Sequence, residues 1–404
     1  DSNDSMGGQF SIAGHVDGNT IDGTAISRMG EATFSATRSA ETDGEDEDEA
    51  DVRWAGIPEH IAYPLGARGR TTAVTPDNVR FEHATLWTAG DVGIVEDGCL
   101  VIQDGRIVYA GSMDAAPATT DRIVDATGMH ITPGLIDCHS HTGIDGGVNE
   151  FNQACTAEVG IGDVVASDDM NWYRQLAGGL TGANQLHGSA NPIGGRNSVV
   201  KIRWGQPARD FPNKKAPTGI KFALGENPRQ ANWGDGDRFP KTRMGVEISL
   251  RRAFEAALEY GEEWAAYEAA LEAGEDADAP RRDLRLEALV GILTGEIKVH
   301  SHSYRADEIL MLIRIAEEYG FTVATFQHVL EGYKVAAEIA AHGGLGGSTF
   351  VDWWGYKFEV RDATPYNAAL VHEAGAIMSV NSDSEDHIRR LNLEAAKTVK
   401  YGAV

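Results

Sequence analysis

The segment from Ile131 to Gly143, ITPGLIDCHSHTG, constrains this chain more than any other part of it. A short apolar run leads directly into His139-Ser140-His141. Because side chains alternate between the two faces of a strand, both imidazoles project to the same side, about 7 Å apart along the backbone. Two surface histidines on an edge strand would be the alternative. The apolar strand and the Pro-Gly pair before the histidines favour a metal-ligand pair at the end of a strand.

Beyond Gly143, strand-like runs alternate with helical ones, which predicts a parallel sheet wrapped by helices. The runs that read as strands are 131–139, 180–187, 198–204, 219–225, 296–302, 321–328, 346–353 and 376–383. Eight is the number that a closed (β/α)8 barrel needs. The stretch 226–295 far exceeds an ordinary crossover, so we expect an α-helical insertion there.

The chain before the barrel divides at an acidic block. Residues 1–40 contain short alternating apolar and polar runs around Asp-Gly turns, which predict the remnant of a β-meander. Residues 41–75 include ETDGEDEDEAD, a block of like charge that predicts a disordered linker. Residues 76–130 carry further strand runs with a hairpin signal at Asp104-Gly105, and residues 131–404 form the predicted barrel domain.

The composition restricts the classes of partner. A formal net charge of −26 argues against nucleic acid and anionic membrane surfaces, because both repel an acidic protein. No apolar run of roughly 18 residues is present, so no membrane span is predicted. The three cysteines are too few and too scattered for a disulfide framework or a thiolate metal site. We therefore expect a small-molecule substrate, and a homo-oligomer is compatible with these features.

The motif and the order of the strands resemble the metal-dependent amidohydrolase superfamily over residues 79–402, nearest to its imidazolonepropionase-like and prolidase-like branches. The resemblance implies an α/β protein with a TIM-like (β/α)8 barrel and a small β-sandwich built from both ends of the chain. Residues 76–130 would be the N-terminal part of that sandwich. We expect its C-terminal part to be missing and the chain to be incomplete at both ends. An extracytoplasmic location is the expectation for the compartment.

The resemblance also implies a set of metal ligands at strand ends. These are His139, His141, Lys221, His300, His328 and Asp383. Asp383 is expected both to touch the metal and to accept a proton from the attacking water. It is preferred over Glu385 and Asp386, because these lie beyond the eighth strand.

Three assignments remain open at the level of sequence. Lys221 lies in an apolar run, where its amine can be neutral and carboxylated to bridge two ions, but Glu226 is a competing bridging ligand. His302 lies on the same face as His300 and is expected to be an outer-shell or substrate contact. A shift of two residues would exchange the roles of the two histidines. His187 closes the second strand and is either a substrate-binding donor or a structural histidine.

The function implied by the resemblance is hydrolysis of a non-canonical amide or other C–N bond by metal-activated water. N-acyl amino acids, dipeptides and cyclic amides are the candidate substrates. One or two divalent ions are expected, with Zn²⁺ favoured by the imidazole-rich ligands. The alternatives are a non-catalytic amidohydrolase-like scaffold and a deaminase acting on a cyclic substrate.

Overall fold

The structure, a computed structural model, describes residues 11–27, 30–38, 77–118, 122–229, 237–353 and 355–402. The chain divides into two compact units, residues 1–60 and 61–404. The linker predicted over 41–75 lies outside the described residues, and each unit is therefore described by itself.

The first unit contains a three-stranded antiparallel sheet. Its strands are β1 (Ser11–Asp17), β2 (Thr20–Ser27) and β3 (Gly30–Thr37), joined in that order. Asp17 pairs with Thr20, so the first turn is two residues long and begins with Gly18 at a φ of 58°. Glycine adopts such positive φ values without a steric cost, which explains why the Asp-Gly-Asn signal marks this turn.

The second unit begins with a small sheet. Its strands are β4 (Val79–Trp87), β5 (Ile94–Gln103), β6 (Arg106–Ser112), β7 (Arg122–Asp125) and β8 (His130–Ile131). Strand β4 lies at the centre, antiparallel to β5 and parallel to β7 and β8. The hairpin predicted at Asp104-Gly105 joins β5 to β6, with positive φ at both residues. The completed sandwich remains a prediction.

Apart from the small sheet, seven strands in the described part of the second unit have at least one parallel neighbour. They are β9 (Leu135–Ser140), β10 (Leu180–Gln185), β13 (Gly219–Ala223), β14 (Lys298–Ser303), β15 (Val323–His328), β16 (Gly346–Thr349) and β17 (Ile377–Val380). Strands β9 and β10 pair with each other, and β13 to β17 pair in sequence order. Their carboxyl ends therefore lie along one edge, which is where the ligand-type residues occur.

The third predicted strand differs from the expectation. The chain at this point forms β11 (Ile193–Arg196) and β12 (Ser198–Lys201), which pair antiparallel with β13 and β10 respectively. Only residues 186–192 separate β10 from β11, whereas a parallel crossover needs about a dozen residues or more. The segment therefore runs back antiparallel and joins the two sheets.

Seven α-helices accompany these strands in the described part of the chain. They are α1 (Met170–Ala177), α2 (Arg243–Glu272), α3 (Leu284–Leu293), α4 (Ala306–Tyr319), α5 (Ala336–Ala341), α6 (Asn367–Glu373) and α7 (Leu391–Lys400). Helices α2 and α3 form the predicted insertion. Phe254 of α2 is fully buried and stacks on Phe321, with ring centroids 4.7 Å apart. The main core therefore lies between these helices and the sheet.

The described strands give an α/β fold with mixed sheets. Strands β17 and β9 are linked through side chains, with the Sγ of Cys138 3.4 Å from the Oγ of Ser379. The closed eight-stranded barrel remains a prediction. Among the helices of the described residues, none has the length and apolar character needed to cross a bilayer.

Candidate metal centre

Three of the predicted ligands come together at the carboxyl ends of the strands. The Nε2 of His141 lies 3.3 Å from the Nε2 of His139 and 3.4 Å from the Oδ1 of Asp383. Ligand atoms of these three residues all lie within 4.8 Å of one another. The Nδ1 of His141 faces the carbonyl oxygen of Leu186 at 2.8 Å. A carbonyl only accepts, so this nitrogen carries the proton and Nε2 is left with a free lone pair.

His328 joins this group from the end of β15. Its ring centroid lies 4.4 Å from that of His139, and its Nε2 lies 3.7 Å from the Oδ2 of Asp383. His328 and Asp383 have φ values of 68° and 47°, in the left-handed region that non-glycine residues rarely adopt. Such backbone conformations concentrate at functional sites, where the surrounding structure holds them in place.

Strand β14 offers two histidines, and the structure places His302 rather than His300 beside the other imidazoles. The ring centroid of His302 lies 4.9 Å from that of His328. The Nδ1 of His300 lies instead 2.7 Å from the hydroxyl of Thr325. Residues two apart share a face of a strand but differ in height by about 7 Å. The expectation that His300 is the ligand is therefore not supported by this geometry, and the exchange left open at the level of sequence is favoured.

Four buried nitrogens at the centre lack a hydrogen-bond partner within the described part of the protein. Both ring nitrogens of His302 and of His328 lack a hydrogen-bond partner, although each residue is only 1% exposed. Buried polar atoms are normally satisfied, because an unmade hydrogen bond costs free energy. Imidazole and carboxylate donors together suit Zn²⁺ and similar divalent ions. The residues present therefore fit a divalent metal.

The side chain of Lys221 on β13 extends to the same centre. Its side chain is fully buried, with Nζ 3.1 Å from the carbonyl oxygen of His187 and 3.3 Å from the Nε2 of His139. Burial lowers the pKa of Lys221 to about 8, against the opposing effect of the Asp383 charge. The competing residue Glu226 places its Oε1 3.2 Å from the Nζ of Lys357. The structure thus brings Lys221, rather than Glu226, to the histidines.

His187 has a structural role. Its Nδ1 lies 2.9 Å from the carbonyl oxygen of Gly188, and its Nε2 accepts a hydrogen bond from the backbone N–H of Glu150 at 2.9 Å. The side chain is buried and both ring nitrogens are already engaged. Of the two roles left open at the level of sequence, this geometry favours a structural histidine over a substrate-binding donor. The carbonyl of His187, not its ring, supports the site by accepting from Lys221.

Two supporting residues received no role from the sequence. Asp137 is fully buried and accepts hydrogen bonds from the backbone N–H of His139 at 3.0 Å and from the hydroxyl of Ser382 at 2.5 Å. Burial raises the pKa of Asp137 to about 7. Gln327 lies 3.1 Å from the Nδ1 of His139. Asp137 occurs in the first motif, but its partner is 245 residues away in the sequence, which spacing alone does not reveal.

Asp383 is held as a carboxylate. Burial would raise its pKa, but the His141 imidazole, 3.4 Å away, and the fields of His328 and Lys221 outweigh this effect and lower the pKa to about 2. The two neighbouring acids have other partners. Glu385 accepts from the amide of Asn171 at 2.9 Å, and Asp386 pairs with Arg389. The preference for Asp383 over these acids agrees with the geometry.

Aromatic side chains form one wall beside the histidines. The ring of Tyr304 lies 4.3 Å from that of His302, and its hydroxyl lies 2.6 Å from the hydroxyl of Tyr356. Phe350 lies 5.0 Å from His328 and 4.9 Å from Trp353, measured between ring centroids. A substrate at the centre would therefore contact an apolar surface with a few hydroxyl groups.

The α/β fold, with histidines and an aspartate gathered at its strand ends, is similar to that of amidohydrolases, and the predicted resemblance to the amidohydrolase superfamily is confirmed. No family model matches the chain. The relatives that it matches include amidohydrolase tasK of Hapsidospora irregularis, 28% identical over 385 residues that cover 86% of this chain and 37% of that protein. Imidazolonepropionase of Sphingopyxis alaskensis is 51% identical over 76 residues, 18% of either protein.

The fold comparison agrees with the sequence comparison. The crystal structure of an amidohydrolase from Thermotoga maritima superposes with a TM-score of 0.72 and 29% identity, covering 81% of this chain and 84% of that one. The chain spans little more than a third of tasK and about a fifth of the imidazolonepropionase. These comparisons therefore support the fold and the family resemblance but do not establish the activity.

Proposed function

We propose that this protein is a metal-dependent hydrolase that cleaves an amide or another C–N bond of a small molecule with an activated water. The observation that carries the proposal is the convergence of His139, His141 and Asp383, with ligand atoms within 4.8 Å of one another. The unpartnered ring nitrogens of His302 and His328 complete the set of donors. The amidohydrolase and imidazolonepropionase relatives support the same reaction class.

The residues proposed to hold one or two divalent ions are His139, His141, His302, His328 and Asp383, with Lys221 as a carboxylated bridge. Zn²⁺ is the favoured ion because imidazoles predominate. When bound, such an ion would supply Lewis acidity towards water and towards the scissile carbonyl. Lys221 suits the bridging role because its buried amine lies 3.3 Å from the Nε2 of His139.

The other steps belong to the side chains of this protein. Asp383 is ionised and its side chain is 22% exposed, so water reaches its carboxylate. It would accept a proton from the attacking water and donate it to the leaving nitrogen. Asp137 and Ser382 hold the loop of Asp383 against β9. Tyr304 and Phe350 would pack against the substrate and exclude bulk water from the reacting carbonyl.

The alternatives are weaker. A non-catalytic scaffold has no need for a convergent ligand set, and here the set is intact. A deaminase would use the same centre on a cyclic substrate, but no particular contact favours it. We also propose that the sheet closes into a barrel between β9 and β17, on the basis of the Cys138 and Asp137 contacts across that edge.

The purified protein should contain one to two equivalents of Zn²⁺ or a similar ion and should hydrolyse at least one C–N bond. The test combines elemental analysis with a panel of N-acyl amino acids, dipeptides and cyclic amides, before and after chelation and reloading. Activity should disappear on chelation and return with metal. A protein that takes up no transition metal after reloading would contradict the metal centre, and a metal-loaded protein inactive on the whole panel would contradict the hydrolase.

Lys221→Ala should lose one bound ion. Formate or acetate should restore part of the lost metal content, because a short carboxylic acid can replace a carbamate bridge. Metal loading of the wild type should rise with bicarbonate, and ¹³C-bicarbonate should give a carbamate signal in NMR spectra. Lys298→Ala is the matched control, since that lysine is exposed on β14. Metal content that is independent of both Lys221 and bicarbonate would assign the bridge elsewhere.

A further inference from the structure

A chain of three hydrogen bonds connects His139 to His300. The Nδ1 of His139 lies 3.1 Å from the Oε1 of Gln327. The Nε2 of Gln327 donates to the Oγ1 of Thr325 at 2.6 Å. The same hydroxyl lies 2.7 Å from the Nδ1 of His300. Neither Thr325 nor His300 is among the residues that the geometry brings to the metal centre.

The strand register explains why these four groups meet. Thr325 and Gln327 are two residues apart on β15, so their side chains project from the same face. His300 of β14 pairs directly with Thr325, and His302 pairs with Gln327. The chain of bonds therefore runs from the level of His302 and Gln327 to the level of His300 and Thr325, two residues earlier on each strand. This places His300 one layer beneath the centre, where it is linked to His139 through Thr325 and Gln327.

The orientation of the Gln327 amide sets the direction of this chain. A neutral imidazole has one donor and one acceptor nitrogen, an amide oxygen only accepts, an amide nitrogen only donates, and a hydroxyl has one proton and two lone pairs. In the orientation observed, His139 donates from Nδ1 to the Oε1 of Gln327, Gln327 donates to Thr325, and the hydroxyl proton of Thr325 is free to be donated to the Nδ1 of His300, so the Nε2 of His139 keeps its lone pair. With the amide flipped, Gln327 would donate to the Nδ1 of His139, and the proton of His139 would move to Nε2. The direction of the chain thus decides whether His139 can bind a metal through Nε2.

Lys221 favours the observed direction. Its Nζ lies 3.3 Å from the Nε2 of His139 and 3.1 Å from the carbonyl oxygen of His187, and the amine has a proton for each of these two acceptors. The Nε2 of His141, 3.3 Å away, also has a lone pair, because its Nδ1 donates to the carbonyl of Leu186. The contacts of Gln327 and Lys221 therefore both favour a proton on the Nδ1 of His139, with a lone pair on each of the two facing Nε2 atoms.

We propose that His300 is a positioning residue which, through Thr325 and Gln327, holds His139 in the orientation and tautomer that expose Nε2 to a metal ion. The inference rests on the proposed metal centre. It assigns the two histidines of β14 different roles, with His302 a ligand and His300 the end of the hydrogen-bond chain. Outer hydrogen bonds of this kind typically change metal affinity by about 10- to 100-fold.

Thr325→Val tests the chain, because it keeps the shape of the side chain and removes the hydroxyl. We expect the dissociation constant for Zn²⁺, measured by competition with a chelating dye, to rise about 10- to 100-fold. Thr325→Ser should restore it. Thr156→Val is the matched control, since it removes a buried hydroxyl that bonds Asn191 and Glu150 and does not contact the centre.

The second readout is the tautomer of His139 in the metal-free wild type, read from ¹⁵N-histidine NMR and assigned by loss of the signal in His139→Gln. The proposal requires the proton on Nδ1, with a mixture of tautomers in Thr325→Val. A proton on Nε2 in the wild type overturns it, and this holds even if the valine variant fails to fold. Unchanged zinc affinity in a folded Thr325→Val protein also overturns it. Normal zinc binding with no hydrolysis would instead count against the hydrolase and leave the chain of bonds intact.

Discussion

Asp383→Asn should lower turnover by at least about 100-fold, the usual scale for loss of a general base, while the protein stays folded. The asparagine keeps the size of the side chain but cannot accept a proton. The wild-type carboxylate is ionised: burial would raise its pKa, but the adjacent His141 imidazole and the field of His328 lower it to about 2. Steady-state turnover on the substrate found in the panel is the measurement, with circular dichroism and metal content as checks on folding.

Two neighbouring acids are the controls for this prediction. Glu385→Gln and Asp386→Asn remove equal charges close by, but Glu385 bonds Asn171 and Asp386 pairs with Arg389. Both variants should keep turnover within a few-fold of the wild type. Near-normal turnover of Asp383→Asn together with loss of activity in either control would move the general base to that residue. If none of the three matters, the water-activation mechanism fails for this protein.

His302→Ala should lose at least one bound ion and more than about 100-fold in metal affinity, beyond the range expected for an outer hydrogen-bond partner. The ring of His302 lies among the ligands, 4.9 Å from His328, with both nitrogens unpartnered. Activity should not return when excess metal is added. Elemental analysis after dialysis and titration with Zn²⁺ provide the measurement.

His300→Ala is the matched comparison, since it removes the same imidazole from the same face of the same strand. It should bind Zn²⁺ more weakly but reach the wild-type stoichiometry at high metal concentration, with most of the activity recovered. The reverse result, with stoichiometric loss in His300→Ala and retention in His302→Ala, would restore the assignment implied by the family resemblance. Equal loss in both would mean that strand β14 supplies two ligands.

Much of the local structure could be predicted from the sequence. The spacing of His139 and His141 fixes both on one face, because the two-residue period of a strand is a local property. The position of Asp383 at the end of the eighth predicted strand, the helical insertion over 226–295 and the hairpin at Asp104-Gly105 follow from equally local signals; the strand itself ends earlier, at Val380. The resemblance to amidohydrolases rests on these short motifs and their order along the chain.

Other features depend on how strands lie against one another. Periodicity places His300 and His302 on the same face but leaves their heights relative to His328 undetermined, because height is set by the register between β14 and β15. The antiparallel course of β11 and β12 is likewise decided by a connection too short for a crossover. The contacts of His187 likewise could be seen only in the structure, where backbone atoms engage both ring nitrogens.

The sequence by itself thus determined which residue types stand at the ends of strands, since propensity and periodicity act over a few neighbouring residues. Only the tertiary structure decided which of them meet. The bond from Asp137 to Ser382 and the chain from His139 to His300 join residues far apart in sequence. The order and register of the strands determine which of these side chains meet. Both arise from packing of the whole sheet against its helices and are not encoded in any single segment.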